Sequence, residues 1–245
     1  MNRLVPSLIL DDDGAWVTKL FKKSVYLGEP SNVVRIMNEL LADELSITWI
    51  GRNRGVRNAA LELISSQASM PLSYCGAIAG AEEAVMISRL GFERIGVTSS
   101  FLKDPAITKS IADELGRSSI SLRIPVSGPP NALQVWDWQG GQPSGMSLDE
   151  LLDQIPIDYV GEVVLTSVDH NGTQAGHRPE IIESLKKLTS IQRGYEGGVC
   201  SPSEVSSIWK LGVDAVYASS FLFLYGRFDA PLTDYPAFEP GRYIS

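Results

Sequence analysis

The chain alternates between short apolar runs and segments in which apolar residues recur every three or four positions. A short apolar run bounded by polar residues predicts a buried strand, and the longer spacing predicts a helix with one buried face. Val33, Ile36, Met37 and Leu40 have the helical spacing. The predicted strands are 4–10, 45–50, 72–75, 94–97, 120–124, 162–167, 193–196 and 215–218, and further helices are predicted at 84–90, 107–115, 181–188 and 205–211.

Eight strands separated by helices indicate a parallel sheet built from βα units. The two halves of the chain also resemble each other, because the interval from Gly76 to Gly197 equals that from Ser99 to Ser220. This interval is close to half of the 245 residues. We therefore predict a single (βα)8 barrel, a TIM barrel, with a two-fold half-barrel repeat and two facing anion sites. The packing of βα units could also produce such similarity without a shared site.

Two segments depart from a simple barrel. The long Pro- and Gly-rich stretch 127–145 contains an apolar alternation at 133–138, which predicts a hairpin inserted after the fifth strand. Beyond Tyr225 the chain carries Pro231, Pro236 and Pro240, so the last helix should be absent or shortened. We expect a barrel over residues 1–226 and a Pro-rich C-terminal tail over 227–245.

Composition narrows the class of protein. The net charge of −8 argues against a nucleic-acid partner, which requires a basic surface. No apolar segment is long enough for a signal peptide or a membrane span. Cys75 and Cys200 do not have a metal-ligand spacing. The sequence predicts a cytoplasmic metabolic protein with no metal, no cofactor and no membrane partner.

The segment 165–176 is the most informative part of the chain. An apolar strand ends there in hydroxyl groups, Asp169, Asn171 and glycines, before a helical pattern resumes at Pro179. A buried parallel strand presents polar groups to a ligand in this way, at its carboxyl end. Asp169 is the acidic residue that we expect at such a site.

This segment, with Gly28-Glu29-Pro30 and the segments 43–45 and 212–220, resembles the cyclase subunit of imidazole glycerol phosphate synthase, in the histidine-biosynthesis barrel family. The resemblance runs from Arg3 to about Phe223. It implies a (βα)8 barrel and a lyase-type enzyme. Members accept ammonia from a glutaminase partner and convert a bis-phosphorylated ribulosyl carboxamide into imidazole glycerol phosphate and an aminoimidazole ribotide.

The resemblance also implies two phosphate sites made of small residues and hydroxyl groups. A phosphate can approach backbone N–H groups closely where side chains are small. Glu196 precedes the second of these sites, where the family tends to have a small residue, and Arg193 is a candidate to pair with its carboxylate. The implied phosphate-binding residues are Gly76, Ala77, Ser99, Gly172, Thr173, Gly197, Gly198, Ser219 and Ser220.

At the other end of the barrel the family admits ammonia through a ring of two basic and two acidic residues. Arg3, Glu44, Arg94 and Glu162 match those positions with the signs of charge preserved, and Glu93 matches an acid on the face that docks the glutaminase. Charges at strand ends can also form a salt-bridge ring that only contributes stability.

The family's catalytic aspartates have no counterpart in this chain. The family uses one at the end of the first strand and another at the end of the fifth as general acid and base. Ile9 occupies the first position, or Leu10 in a shifted alignment, and Pro125 occupies the second. Val17 or Thr18 replaces a lysine, and Trp49 replaces an acid.

These departures favour a divergent paralogue over the histidine pathway. Such members are linked to amidination of a sugar in surface-polysaccharide pathways, with a separate sugar amidotransferase. One alternative is an authentic cyclase in which Asp11 and Asp169 have taken over the acid and base roles. Another is a non-catalytic docking barrel that activates a glutaminase and conducts ammonia.

Overall fold

The computed structural model describes residues 2–138, 140–226 and 229–238. Eight parallel strands pair in chain order, and the eighth pairs with the first, so the sheet closes into a barrel. The predicted (βα)8 barrel is confirmed. Its strands are β1 (Arg3–Asp11), β4 (Leu45–Trp49), β5 (Leu72–Cys75), β6 (Arg94–Val97), β7 (Ile120–Ser127), β10 (Glu162–Ser167), β11 (Gln192–Glu196) and β12 (Ala215–Ala218).

Four of the eight strands have the bounds predicted from the sequence, and the others differ at one or both ends. Every residue of β7, β10 and β12 is buried, as expected for strands that are covered on both faces. Helices cover the outer face, and their apolar stripes form one core with the sheet. A second, small core lies inside the barrel and consists of Val5, Val164, Ala215 and Tyr217.

Helices connect the barrel strands. The longest, α2, begins after Asn53, whose side chain accepts hydrogen bonds from the backbone N–H groups of Gly55 and Val56. The sequence analysis did not predict α2. The helices are α1 (Pro30–Glu39), α2 (Arg54–Gln67), α3 (Ala81–Arg89), α4 (Ser99–Lys103), α5 (Ala106–Leu115), α6 (Leu148–Leu152), α7 (Pro179–Leu185), α8 (Pro202–Lys210) and α9 (Ser220–Phe223).

Two hairpins extend the sheet at the carboxyl ends of the barrel strands. The strands β8 (Gln134–Asp137) and β9 (Gln142–Ser147) follow β7 and confirm the predicted insertion. The strands β2 (Gly14–Lys19) and β3 (Lys22–Gly28) continue β1 and were not predicted. The first hairpin places its tip, Leu20 and Phe21, above the barrel opening on the side of Trp138, whose ring lies 4.3 Å from that of Phe21.

The half-barrel repeat is visible in the backbone. Thr98 follows β6 and has φ −134° and ψ −89°. Ser219 follows β12 and has similar angles, φ −126° and ψ −75°. Each residue precedes a short helix, α4 or α9.

After α9 the described chain forms a short pair of strands, β13 (Leu224–Tyr225) and β14 (Ala230–Pro231), and contains no further helix within 224–226 and 229–238. The Tyr235 hydroxyl then donates to the carbonyl of Leu4 at 3.0 Å and accepts from the N–H of Asp43 at 3.2 Å. The predicted division at residue 226 stays a prediction. Within the described residues, none of the helices has the length and hydropathy required to span a bilayer.

Candidate active site

A cavity of about 820 Å³ opens at the carboxyl ends of the barrel strands, where TIM barrels hold their active sites. Its walls combine apolar side chains with hydroxyl groups, three cations and one carboxylate among the described residues. The hairpin residues Phe21 and Trp138 lie at its edge. A second, smaller cavity of about 230 Å³ lies beside it, and Thr18 lines both.

The first predicted phosphate site belongs to the main cavity. Gly76, Ala77 and Ser99 all line it. A Cβ atom on Gly76 would stand 2.3 Å from the hydroxyl oxygen of Tyr74, so a larger residue there would require the buried Tyr74 side chain to move. Arg54, the first residue of α2, and Lys103, the last of α4, line the same cavity and supply positive charge that the sequence analysis missed.

Part of the second predicted phosphate site is engaged in hydrogen bonds within the chain. The N–H of Gly176 donates to the carbonyl of Gly198 at 2.9 Å, and the Ser220 hydroxyl donates to the carbonyl of Gly172 at 3.1 Å. A Cβ atom on Gly198 would stand 2.1 Å from the Gly176 oxygen. Among the nine predicted residues, Gly172 and Thr173 line the smaller cavity, whereas Gly197, Gly198, Ser219 and Ser220 are not among the described lining residues of either.

The two positions that the resemblance assigns to the family's aspartates both face the main cavity. Ile9 and Pro125 are among its lining residues. Leu10 is fully buried in the core outside the barrel, so the register of β1 presents Ile9. An isoleucine and a proline can neither accept nor donate a proton from their side chains. At these two positions the chain therefore offers no acid or base.

Asp11 and Asp169 are engaged elsewhere. The Asp11 carboxylate pairs with Lys23 and accepts from the indole N–H of Trp16 at 2.9 Å. The Asp169 carboxylate binds the Arg178 guanidinium at 3.0 Å and the N–H of Gly128 at 3.0 Å. Neither aspartate is among the described residues that line the main cavity. Their assignment as catalytic groups stays a prediction that this geometry does not favour.

Replacement of Asp11 with asparagine should lower the free energy of unfolding by roughly 1–3 kcal/mol, because the carboxylate makes a charged contact with Lys23 in a largely buried position. Chemical denaturation followed by tryptophan fluorescence measures this loss. Asp113→Asn is the control, since Asp113 pairs with Lys109 on an exposed face. An Asp11→Asn protein as stable as the wild type would contradict this structural role.

Glu196 and Arg123 form an ion pair in the main cavity. Glu196 ends β11, and its carboxylate accepts hydroxyl hydrogen bonds from Ser7 and Thr166 at 3.0 Å each. The Arg123 guanidinium lies 3.7 Å from it and rests on the ring of Tyr217 at 3.9 Å. The expected pairing with Arg193 is wrong, because Arg193 binds Asp214 instead. The sequence analysis did not identify Arg123, which stands two residues before Pro125 on the same strand.

The charges on these groups follow from their surroundings. Burial works against the charged form of Arg123, but Tyr217 and the nearby Cys75 and Glu196 outweigh it and raise its pKa above the ordinary value. Burial also raises the pKa of the Cys75 thiol, which lines the cavity. At neutral pH the cavity therefore holds a permanent cation beside a neutral thiol.

The four predicted gate residues meet at the opposite end of the barrel. The Arg3 guanidinium binds both Glu44 and Glu162, the latter at 2.6 Å, and Arg94 binds Glu44 at 2.9 Å. The side-chain oxygen of Gln192 accepts from both arginines, at 3.1 and 3.2 Å. Each of the four residues stands at or just before the first residue of its strand. We call Arg3, Glu44, Arg94 and Glu162 the entrance ring.

The entrance ring is connected to the cavity through the barrel interior. The buried Tyr217 hydroxyl donates to Glu162 at 2.9 Å, and Arg123 lies on the ring of Tyr217. Burial works against the charged form of Arg3, but Glu162 and Glu44 raise its pKa above the ordinary value. Burial raises the pKa of Glu44, against the opposing effect of Arg3. Polar side chains thus run from one end of the barrel to the other.

The sequence of the chain is similar to those of known proteins over most of its length. The family described as histidine biosynthesis protein matches residues 3–229. The chain belongs to this family. A relative from Leptospira interrogans, provisionally named as imidazole glycerol phosphate synthase subunit HisF, is 30% identical over 240 residues, which cover 96% of this chain and 94% of the relative.

Two further relatives carry related names. A protein of Pseudomonas aeruginosa, provisionally named as imidazole glycerol phosphate synthase subunit hisF2, is 30% identical over 240 residues, which cover 96% of each of the two chains. The imidazole glycerol phosphate synthase subunit HisF of Pyrococcus furiosus is 25% identical over 93% of this chain and 91% of its own. The chain is therefore a divergent HisF-like barrel, as the sequence resemblance predicted.

Proposed function

We propose that this HisF-like chain is the synthase-type subunit of a glutamine amidotransferase that acts in the amidination of a sugar for a surface polysaccharide. In this proposal a glutaminase docks at the N-terminal face, ammonia enters at the entrance ring, and a separate sugar amidotransferase uses it. The protein acts in the cytoplasm. The observation that carries the proposal is the contrast between the entrance ring, whose four charged residues are in contact, and the main cavity, which presents Ile9 and Pro125 where the resemblance implies aspartates.

The entrance ring supports the ammonia part of the proposal. Both its carboxylates are almost fully buried, with side-chain exposures of 4% for Glu44 and 1% for Glu162. Burial of two carboxylates is costly, and hydrophobic residues can replace such networks without loss of stability. The chain keeps these two carboxylates, although the resemblance implies that it has lost other charged residues of the family. This favours a role of the ring in the passage of ammonia over a role in stability alone.

The N-terminal face also has apolar side chains available to a partner. Leu41 lies in the loop between α1 and β4, is 83% exposed and has a φ of +55°, which is unfavourable for a residue with a Cβ atom. Leu40 of the same loop is also exposed, and so are Ile157 and Leu211, which precede β10 and β12. Exposed apolar groups around a charged opening are typical of a protein interface. They support docking of the glutaminase on this face.

The paralogue hypothesis is tested by the authentic reaction. The purified chain, given ammonium chloride and the authentic bis-phosphorylated substrate, should release imidazole glycerol phosphate roughly 100-fold or more slowly than the Pyrococcus furiosus relative, because general acid–base catalysis contributes at least that much. Absorbance or chromatography of the product measures the rate. Equal rates for the two proteins would contradict the proposal and favour the histidine pathway.

The partner hypothesis has a separate test. A glutaminase from the same organism should copurify with the chain and hydrolyse glutamine faster in its presence. Leu41→Asp should weaken this complex, since a buried carboxylate at the interface would lack a partner. Leu63→Asp is the matched control, because Leu63 is 45% exposed on α2, away from the strand entrances. If Leu41→Asp stimulates glutamine hydrolysis as strongly as the wild type does, the glutaminase docks on another face of the barrel.

A further inference from the structure

The charges that line the main cavity are distributed unequally. Arg54 and Lys103 come from helices that follow β4 and β6, and the turn at Gly76 follows β5 between those two strands. Glu196 ends β11, which lies opposite β5 in a ring of eight strands. Among the described lining residues, Glu196 is the only carboxylate. The cavity thus has cations on one side, and on the other it has a carboxylate that lies beside Arg123.

Glu196 has hydrogen-bonding capacity left for a ligand. One of its oxygens accepts from Ser7 and the other from Thr166, whereas a carboxylate has about four acceptor sites. Its side chain is 17% exposed. The Arg123 nitrogen at 3.7 Å is too far for a direct hydrogen bond. A ligand hydroxyl can donate to Glu196 and accept from Arg123, whereas a ligand anion on this side would meet the Glu196 charge.

We propose that Glu196 determines the specificity of this cavity for a monophosphorylated polyhydroxyl ligand of the sugar-phosphate class. The phosphate binds at Gly76, Ala77 and Ser99, close to Arg54 and Lys103. The hydroxyl groups of the ligand bind Glu196, and a ligand with a second anion at that end is rejected. The Ser220 hydroxyl of the second predicted phosphate site already donates to the carbonyl of Gly172, which agrees with a single phosphate. This inference takes the main cavity as the ligand site and does not depend on the proposed role in sugar amidination.

The test compares three phosphates with a six-carbon chain: glucitol 6-phosphate, 6-phosphogluconate and n-hexyl phosphate. Isothermal titration calorimetry on the purified chain measures their dissociation constants, without glutaminase or ammonia. Glucitol 6-phosphate should bind roughly tenfold or more tightly than either of the others, because a site built for hydroxyl groups discriminates against ligands that lack them or that bring a like charge. Glu62→Gln, on the exposed face of α2, is the matched control and should leave all three constants unchanged.

In Glu196→Gln the preference for glucitol 6-phosphate over 6-phosphogluconate should fall by about tenfold, since the neutral amide no longer repels the carboxylate. Glu196→Asp should keep that preference but bind glucitol 6-phosphate more weakly. This second variant replaces Glu196→Gln in the test if the glutamine variant does not fold. An unchanged ratio in a folded Glu196→Gln protein would leave Glu196 only as the counter-ion of Arg123 and would overturn the proposal. Tighter binding of 6-phosphogluconate by the wild type, or binding of none of the three, would also overturn it.

Discussion

Replacement of Arg3 with methionine should lower the free energy of unfolding by roughly 3–5 kcal/mol at neutral pH, which is the usual cost of breaking a buried ion pair from one side. Arg3 is the cation that Glu44 and Glu162 share, and its side chain is only 12% exposed. Methionine keeps most of the volume of the side chain but supplies no charge. The buried carboxylate of Glu162 would then have only the hydroxyl groups of Ser121 and Tyr217 as its described partners.

The effect of Arg3→Met should depend on pH through Glu44. Burial already raises the pKa of Glu44 above its ordinary 4.5, and loss of Arg3 removes an effect that lowers it. A carboxyl whose pKa is raised on folding contributes stability below its unfolded pKa and loses it as pH rises through the folded pKa. The difference between Arg3→Met and the wild type should therefore be small near pH 4.5 and increase toward neutrality. Urea denaturation at several pH values measures this.

Arg35→Met provides the control for that experiment. Arg35 pairs with Glu39 one helical turn away, and both side chains are more than 60% exposed, at 63% and 65%. Such a pair contributes at most about 0.5 kcal/mol. Equal losses from Arg3→Met and Arg35→Met would contradict the description of the entrance ring as a tightly coupled buried network.

Replacement of Gly172 with alanine should lower the free energy of unfolding by roughly 3 kcal/mol or more, from backbone strain and steric overlap together. The φ of Gly172 is +70°, and an added Cβ atom would stand 1.9 Å from the carbonyl oxygen of Thr18. This oxygen belongs to the β2–β3 hairpin, so the clash cannot be relieved by rotation of a side chain. Relief requires that the loop and the hairpin separate, which should also weaken the hydrogen bond from Ser220 to Gly172.

Gly141→Ala separates the two causes. Gly141 has a similar φ of +63°, and no atom lies within 4 Å of its added Cβ. Gly141→Ala should lower the free energy of unfolding by only about 1–2 kcal/mol, because an alanine is unfavourable in the left-handed conformation. Thermal or chemical denaturation of both variants gives the comparison. A Gly172→Ala protein that loses no more than Gly141→Ala would show that the contact with Thr18 is readily displaced.

The barrel could be predicted from the sequence because apolar runs bounded by polar residues mark most of its parallel strands, such as β10 and β12. The first hairpin could not. Its turn is formed by Leu20 and Phe21, with φ angles of 49° and 59°, where asparagine or glycine is the usual signal. Contacts across space hold these unfavourable residues in place, among them the packing of Phe21 on Trp138 and the bond from the N–H of Leu20 to the carbonyl of Asn171. Such contacts have no local signature in a sequence.

The candidate site was predictable to the extent that it repeats a known pattern. Matching signs of charge at Arg3, Glu44, Arg94 and Glu162 predicted residues that the structure brings into contact. Arg123 and Glu196 were different, because their pairing depends on which face of two non-adjacent strands points inward. The sequence analysis gave Glu196 the wrong partner for that reason, although Arg193 is only three residues away. Such a pairing has to be determined from coordinates.

The attachment of Tyr235 to Leu4 joins residues from the two extremes of the described chain. Tyr235 is 7% exposed, and the same segment places Phe238 against Trp209, with ring centroids 4.9 Å apart. During synthesis β1 emerges before the segment around Tyr235, so the contacts of this segment with the beginning of β1 form late. Parallel pairing across such separations folds slowly. Until then β1 can pair with β4, but its beginning lacks the cover that Tyr235 provides.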